Sequence, residues 1–142
     1  MATTERLAEP EAREIVDLVF LLVGNMQQHF ETTAAAFDLP VTEAKALLRV
    51  GSGISMRALA LELRCDASNV TAIADKLESR GLAVREPHPD DRRVKRLALT
   101  ADGRRLQRAL GAKLYEDVPI VSALTPQQRR TFHDLLALAV GR

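Results

Sequence analysis

Cysteine is almost missing: Cys65 is the only one in 142 residues. No intrachain disulfide can hold the fold, and a reducing compartment is the expected setting. Tryptophan is absent and aromatic residues make up only 4% of the chain. A core must therefore come from leucine, valine and alanine, a composition that suits helices. Apolar runs are short. The longest, between Asp17 and Gly24, falls far below the roughly 20 residues of a membrane span, and acids rather than a basic cluster precede it. Neither a signal peptide nor a membrane anchor is expected, and the cytoplasm is the expected location. Catalytic signatures are also missing: there is no G-x-S-x-G, no phosphate-binding loop, no dinucleotide fingerprint and no Cys/His pairing, so an enzyme is not expected. His29, His88 and His133 have no close ligand spacing such as H-x-x-x-H, so neither a metal nor another cofactor is expected.

Charge of one sign is also scarce overall, with a formal net charge of +1, but it is unevenly spread. Residues 1–65 hold six Lys or Arg against nine acids, whereas residues 79–105 hold eight against four. A local basic surface on a nearly neutral protein follows.

What is present is one domain's worth of amphipathic helix. With 46% hydrophobic residues, residues 1–142 read as a single domain. Ile15, Val19, Leu22, Met26, Phe30 and Ala34 recur at three- and four-residue steps, predicting one helix over residues 10–37. Such a helix is roughly 40 Å long, more than so small a domain can bury alone, so part of its stripe is expected to meet another chain. Asp38-Leu39-Pro40 stops it.

Thr42 is expected to cap a short helix that ends at the Gly51-Ser52-Gly53 stretch. Ser55 caps the next, with Met56, Leu59, Ala60 and Leu63 on one side. After a turn at Arg64 and Cys65, Asp66 caps a third helix that ends at Gly81. Val70, Ile73, Ala74 and Leu77 form its buried stripe, leaving Ser68, Asn69, Thr71, Ala72, Asp75 and Lys76 outward. Two short strands follow, at 82–86 and 94–100, joined by a loop rich in Pro and Asp. Thr100 caps a helix over 101–118. Thr125, Pro126 and Gln128 form the start of a last helix that runs to Gly141.

Helix, tight turn, helix, and two strands around a basic loop is the order of a winged helix-turn-helix. The fold class is thus mainly α with a small β wing, the winged region spanning 42–100. In such a fold the second helix of the pair enters the major groove of DNA. Short polar groups near its start (Ser68, Asn69, Thr71) suit base edges, Ala72 clears space or touches a thymine methyl, and Lys76 reaches a phosphate. The loop is narrow enough for a minor groove, where arginine is favoured. A carboxylate two residues before such an arginine can aim its guanidinium. Arg92, Lys95 and Arg96 are placed to meet phosphates.

The run LALELRCDASNVTAIADKLESRGLAVREPHPDDRRVKRLALTADGRRL resembles the DNA-binding core of the MarR (multiple antibiotic resistance regulator) family of bacterial transcription factors. The resemblance is strong over residues 42–110. Its most specific element is the D-x-R wing followed by a strand and Leu-Thr, here Asp91, Arg93, Leu99 and Thr100. The resemblance implies that Arg93 enters the minor groove and that Asp91 orients it. It further implies a homodimer held by helices at 10–37 and 101–141, a pseudo-palindromic double-stranded operator, and repression relieved by a small aromatic or phenolic effector. One residue departs from the usual pattern: Arg64 stands in the helix-helix turn where glycine is common. Two other readings stay open. One is a winged-helix module that binds a protein through Asp75, Glu78 and the wing acids. The other is a redox-sensing regulator using Cys65, which sits where a helix dipole lowers thiol pKa.

Overall fold

The computed structural model describes residues 9–142. Its elements follow in the order α1 (Glu9–Ala36), α2 (Val41–Arg49), β1 (Ile54–Ser55), α3 (Met56–Leu63), α4 (Ala67–Ser79), β2 (Ala83–Pro87), β3 (Lys95–Leu99), α5 (Ala101–Tyr115), α6 (Pro119–Ser122) and α7 (Pro126–Ala139). The chain divides into two compact units: one holds Phe30–Leu114, the other the chain up to His29 together with Tyr115–Arg142.

The unit Phe30–Leu114 is built on an aliphatic core. Leu47, Val50, Leu59, Val70, Leu77, Leu97 and Leu110 are its largest fully buried side chains, each contributing about 1.5–3 kcal/mol by leaving water. All four residues expected on the inner stripe of α4 are buried. Phe30 and Phe37 pack at the margin of this core, so the scarcity of aromatics is met by close-fitting leucine and alanine. Gln107 on α5 donates from Nε2 to the carbonyl oxygens of Leu47 and Val50, both at 2.8 Å. It thereby satisfies acceptors left open at the end of α2.

The strands form an antiparallel sheet in the order β1-β3-β2. The expected pair is present, and β1 joins it through Ile54 opposite Leu97 and Ser55 opposite Arg96. Two residues are too few to show the alternation by which a strand is read. The cap at Thr42 is a second correction. Pro40 is the N-cap residue, extended at φ −58° and ψ 147° and with no side-chain cap bond. The proline ring fixes the entry angle, so the helix starts two residues earlier than a threonine cap allows. Ser55, Asp66 and Thr125 do cap α3, α4 and α7, and Thr125 and Gln128 form a complete capping box. Helix α5 stops at Tyr115, short of the expected 118, because Asp117 turns into the left-handed region at φ 48° and Pro119 opens the single-turn α6.

Behind α4, Arg80 reaches back to the corner between α1 and α2. Its guanidinium donates to the Asp38 carbonyl at 2.9 Å and pairs with Glu43 at 3.3 Å. Glu43 is a buried acid, and a buried carboxylate needs such a countercharge.

In the other unit, α1 leaves Ile15, Val16, Leu18, Val19, Phe20, Leu21 and Val23 exposed, with Phe20 70% accessible. On α7, Leu135 and Leu138 are exposed in the same way. No helix among the described residues is long and apolar enough to cross a membrane.

Candidate nucleic-acid interface

The approach to α4 is fixed by local backbone chemistry. Arg64 adopts the left-handed conformation at φ 52° and ψ 46°, the geometry for which glycine is usual. The departure noted in the sequence is therefore a real left-handed arginine, and it costs about 1–2 kcal/mol relative to glycine. The Cys65 amide then donates to the Ala60 carbonyl at 3.0 Å. Cys65 is half-buried against the core, as a small residue filling the turn.

Asp66 starts α4. Its carboxylate accepts the Asn69 amide and the Ser68 hydroxyl, both at 2.8 Å. The backbone bond from Asn69, then the hydroxyl of Ser68, hold the Asp66 carboxyl below its ordinary pKa. The ionised form is the one that caps, so this stabilisation is complete above the ordinary aspartate range near pH 4 and fades as pH falls through the lowered folded value. Asp66→Asn keeps an acceptor but cannot titrate. Between pH 7 and pH 3 its urea midpoint should fall less than that of the parent chain; equal falls would remove Asp66 from the pH response.

Ser68, Asn69, Thr71, Ala72, Asp75 and Lys76 are all exposed on α4. They are not equally available. The Ser68 hydroxyl proton goes to Asp66 and that of Thr71 to the Ala67 carbonyl at 2.8 Å, so both turn acceptor lone pairs outward. Asp75 is ion-paired with Arg85 of β2. Asn69, Ala72 and Lys76 carry no such internal bond among the described residues.

At the wing, Glu86 stands opposite Arg96 and Pro87 opposite Lys95. The loop between the strands is closed by the His88 amide donating to the Val94 carbonyl at 2.7 Å, and by the Val94 amide donating to the Asp91 carbonyl at 3.0 Å. One oxygen of Asp91 accepts both the Arg93 amide at 3.1 Å and the Arg93 Nε at 3.4 Å. The Arg93 side chain is still 93% exposed. Asp91 thus aims an otherwise free guanidinium into solvent. Arg92 and Lys95 are exposed beside it.

Arg96 differs from the expectation of a phosphate contact. Both Nε and a terminal nitrogen bind Glu86 Oε1, at 2.7 and 2.6 Å. Its side chain also lies against Gly53, where an added Cβ would sit 3.0 Å from Arg96 Cδ. Arg96 ties the outer face of the hairpin to the loop before β1. Arg85, which the sequence reading passed over, is the other cation spent internally. The signal for both was an acid ten residues away in sequence, visible only once the register and helix phase are known.

A profile of the MarR family matches residues 46–95, which run from α2 to the first residue of β3. That stretch of the chain is similar to the MarR family. Among relatives, a candidate transcriptional regulatory protein for the hcr operon of Thauera aromatica is 34% identical over 85 residues, 59% of this chain. The chain spans about half, 51%, of that relative's length. Two solved structures share the winged-helix fold. A mutant MarR from Escherichia coli complexed with operator DNA aligns at a TM-score of 0.71 and 21% identity, over 94% of this chain and 98% of its own. CouR from Rhodococcus jostii RHA1 bound to p-coumaroyl-CoA aligns at 0.69 and 25% identity, over 89% and 91%.

Proposed function

We propose that this chain is a homodimeric, sequence-specific DNA-binding transcriptional repressor whose operator complex is released by a small aromatic or phenolic effector. The observation that carries the reading is the Asp91–Arg93 pair. It presents one fully exposed, oriented guanidinium at a narrow loop tip, in the same unit as the open polar face of α4. Arginine so placed suits a minor groove, while Asn69 and Lys76 suit a base edge and a phosphate in the adjacent major groove. Wing and helix together serve double-stranded DNA better than a protein partner.

The exposed apolar stripe of α1 supports the dimer. Seven large aliphatic or aromatic side chains in nine residues are costly to leave in water. Covering them with the same helices of a second copy, at 10–37 and 101–141, gives a two-fold partner and two wings. The p-coumaroyl-CoA held by CouR supports a phenolic acyl derivative as the effector class. The regulator is expected to work on DNA in the cytoplasm, without a cofactor and without catalysis.

Selection of bound fragments from random duplex DNA tests the reading. Enrichment of a pseudo-palindrome with half-sites about one helical turn apart, roughly 10 base pairs, is the expected result, with binding lost on adding a phenolic acyl thioester. A folded dimer that enriches no sequence at low salt would overturn it.

A further inference from the structure

We infer that Arg85 is a positioning residue for DNA binding: from the wing strand β2 it clamps α4 and fixes where the wing stands relative to the helix. The inference rests on the DNA-binding reading above but concerns a residue that touches no DNA in it. Arg85 stands opposite Leu97 in the sheet, on the face where Leu97 and Leu99 are buried. Its side chain therefore leaves the sheet on the side toward the core and meets α4. One terminal nitrogen donates to the Thr71 carbonyl at 3.1 Å and also binds the Asp75 carboxylate. The other lies 3.7 Å from Glu78 Oε2, and the Arg85 backbone amide donates to Glu78 Oε1 at 2.8 Å. Thr71, Asp75 and Glu78 follow one another at four- and three-residue steps, so one arginine grips a single stripe along two turns of the helix.

The geometry depends on the planar fork of a guanidinium, which a lysine cannot reproduce. It is also a costly arrangement for mere surface decoration. The Arg85 side chain is only 28% exposed, and its Nε is buried with no hydrogen-bond partner among the described residues. What the clamp secures is the one distance a two-groove reader depends on. It also neutralises Asp75, which would otherwise present a bare carboxylate on the face turned to DNA phosphates.

Arg85→Met keeps the aliphatic stem and removes the fork. Fluorescence anisotropy with the selected operator should then show an affinity loss of at least tenfold, with an unchanged slope of log affinity against log salt. A slope reduced by about 0.9 per wing would make Arg85 a direct phosphate contact and overturn the inference. An unchanged affinity in a folded protein would overturn it as well. Asp75→Asn should weaken all operator variants alike and add little to Arg85→Met. A changed base preference at one position, adding fully to Arg85→Met, would instead make Asp75 a reader of bases. If Arg85→Met does not fold, Arg85→Lys carries the same pattern at smaller amplitude.

A measurement without DNA separates this inference from the function it rests on. Amide hydrogen exchange across 83–99 should quicken about tenfold in Arg85→Met, while α2 and α3 keep the rates of the parent chain. That result would stand even if the parent chain bound no operator, and uniform acceleration of the whole unit would sink the clamp.

Discussion

Arg93→Ala is expected to abolish most operator binding while leaving the fold and the dimer intact. The side chain is 93% exposed and pairs with Asp91, so its removal uncovers no core surface and strands no buried group. Substitutions of this kind usually change stability by less than about 0.5 kcal/mol. The effect on binding is of another size. A well-placed groove contact contributes about 2 kcal/mol, and the proposed dimer inserts two wings, giving about 4 kcal/mol or nearly a thousandfold in affinity. Asp91→Ala should lose less, because the guanidinium survives without its orientation. Anisotropy titrations of the three proteins, beside thermal unfolding and sedimentation, check the order. A folded Arg93→Ala dimer with the parent affinity would take the wing out of the interface.

Whether a residue's role was legible in the sequence depended on how far its partner lies along the chain. Asp91 and Arg93 are two residues apart, so their contact needed only a turn, and the sequence displayed it. Asp66 with Ser68 and Asn69, and Thr125 with Gln128, are local in the same sense, and each cap formed where its residue types pointed. The inner stripe of α4 was legible because burial follows helix phase. Arg85 and Arg96 were not. Each meets an acid ten residues away, Asp75 and Glu86 respectively, across a turn whose length and register only the folded sheet reveals. The basic cluster of residues 79–105 therefore overstated the charge that the fold leaves free. Arg80, Arg85 and Arg96 are held by Glu43, Asp75 and Glu86, Arg105 by Asp102, and Arg104 donates to the Leu99 carbonyl. Arg92, Arg93 and Lys95 remain directed outward at the wing, which is why a nearly neutral chain can still present a basic tip.

Gly103→Ala should be the most damaging single methyl group in the unit Phe30–Leu114. A Cβ at this position would lie 1.9 Å from the Leu82 carbonyl oxygen and 3.3 Å from Leu99 Cβ. That carbonyl cannot simply swing away. It accepts the Thr100 amide at 3.0 Å, while the Thr100 hydroxyl donates to the Gly81 carbonyl at 2.7 Å and accepts the Gly103 amide at 3.0 Å. These bonds pin the end of β3 and the start of α5 to the turn between α4 and β2. Gly81 holds that turn with a left-handed φ of 69°. Making room for a methyl group means moving backbone by about 1 Å and giving up at least one of the bonds, a loss of about 3 kcal/mol or more. Against a total stability of about 5–15 kcal/mol for a domain, that is a large share. Gly111→Ala is the control within the same helix. Its Cβ would meet only Leu48 Cδ2 at 4.0 Å, and alanine is the better helix former by up to about 1 kcal/mol. Urea unfolding of both variants should therefore move the midpoint in opposite directions from one chemical change. A Gly103→Ala midpoint within error of the parent would mean that the junction between β3 and α5 yields without cost, and that the wing is not anchored through it.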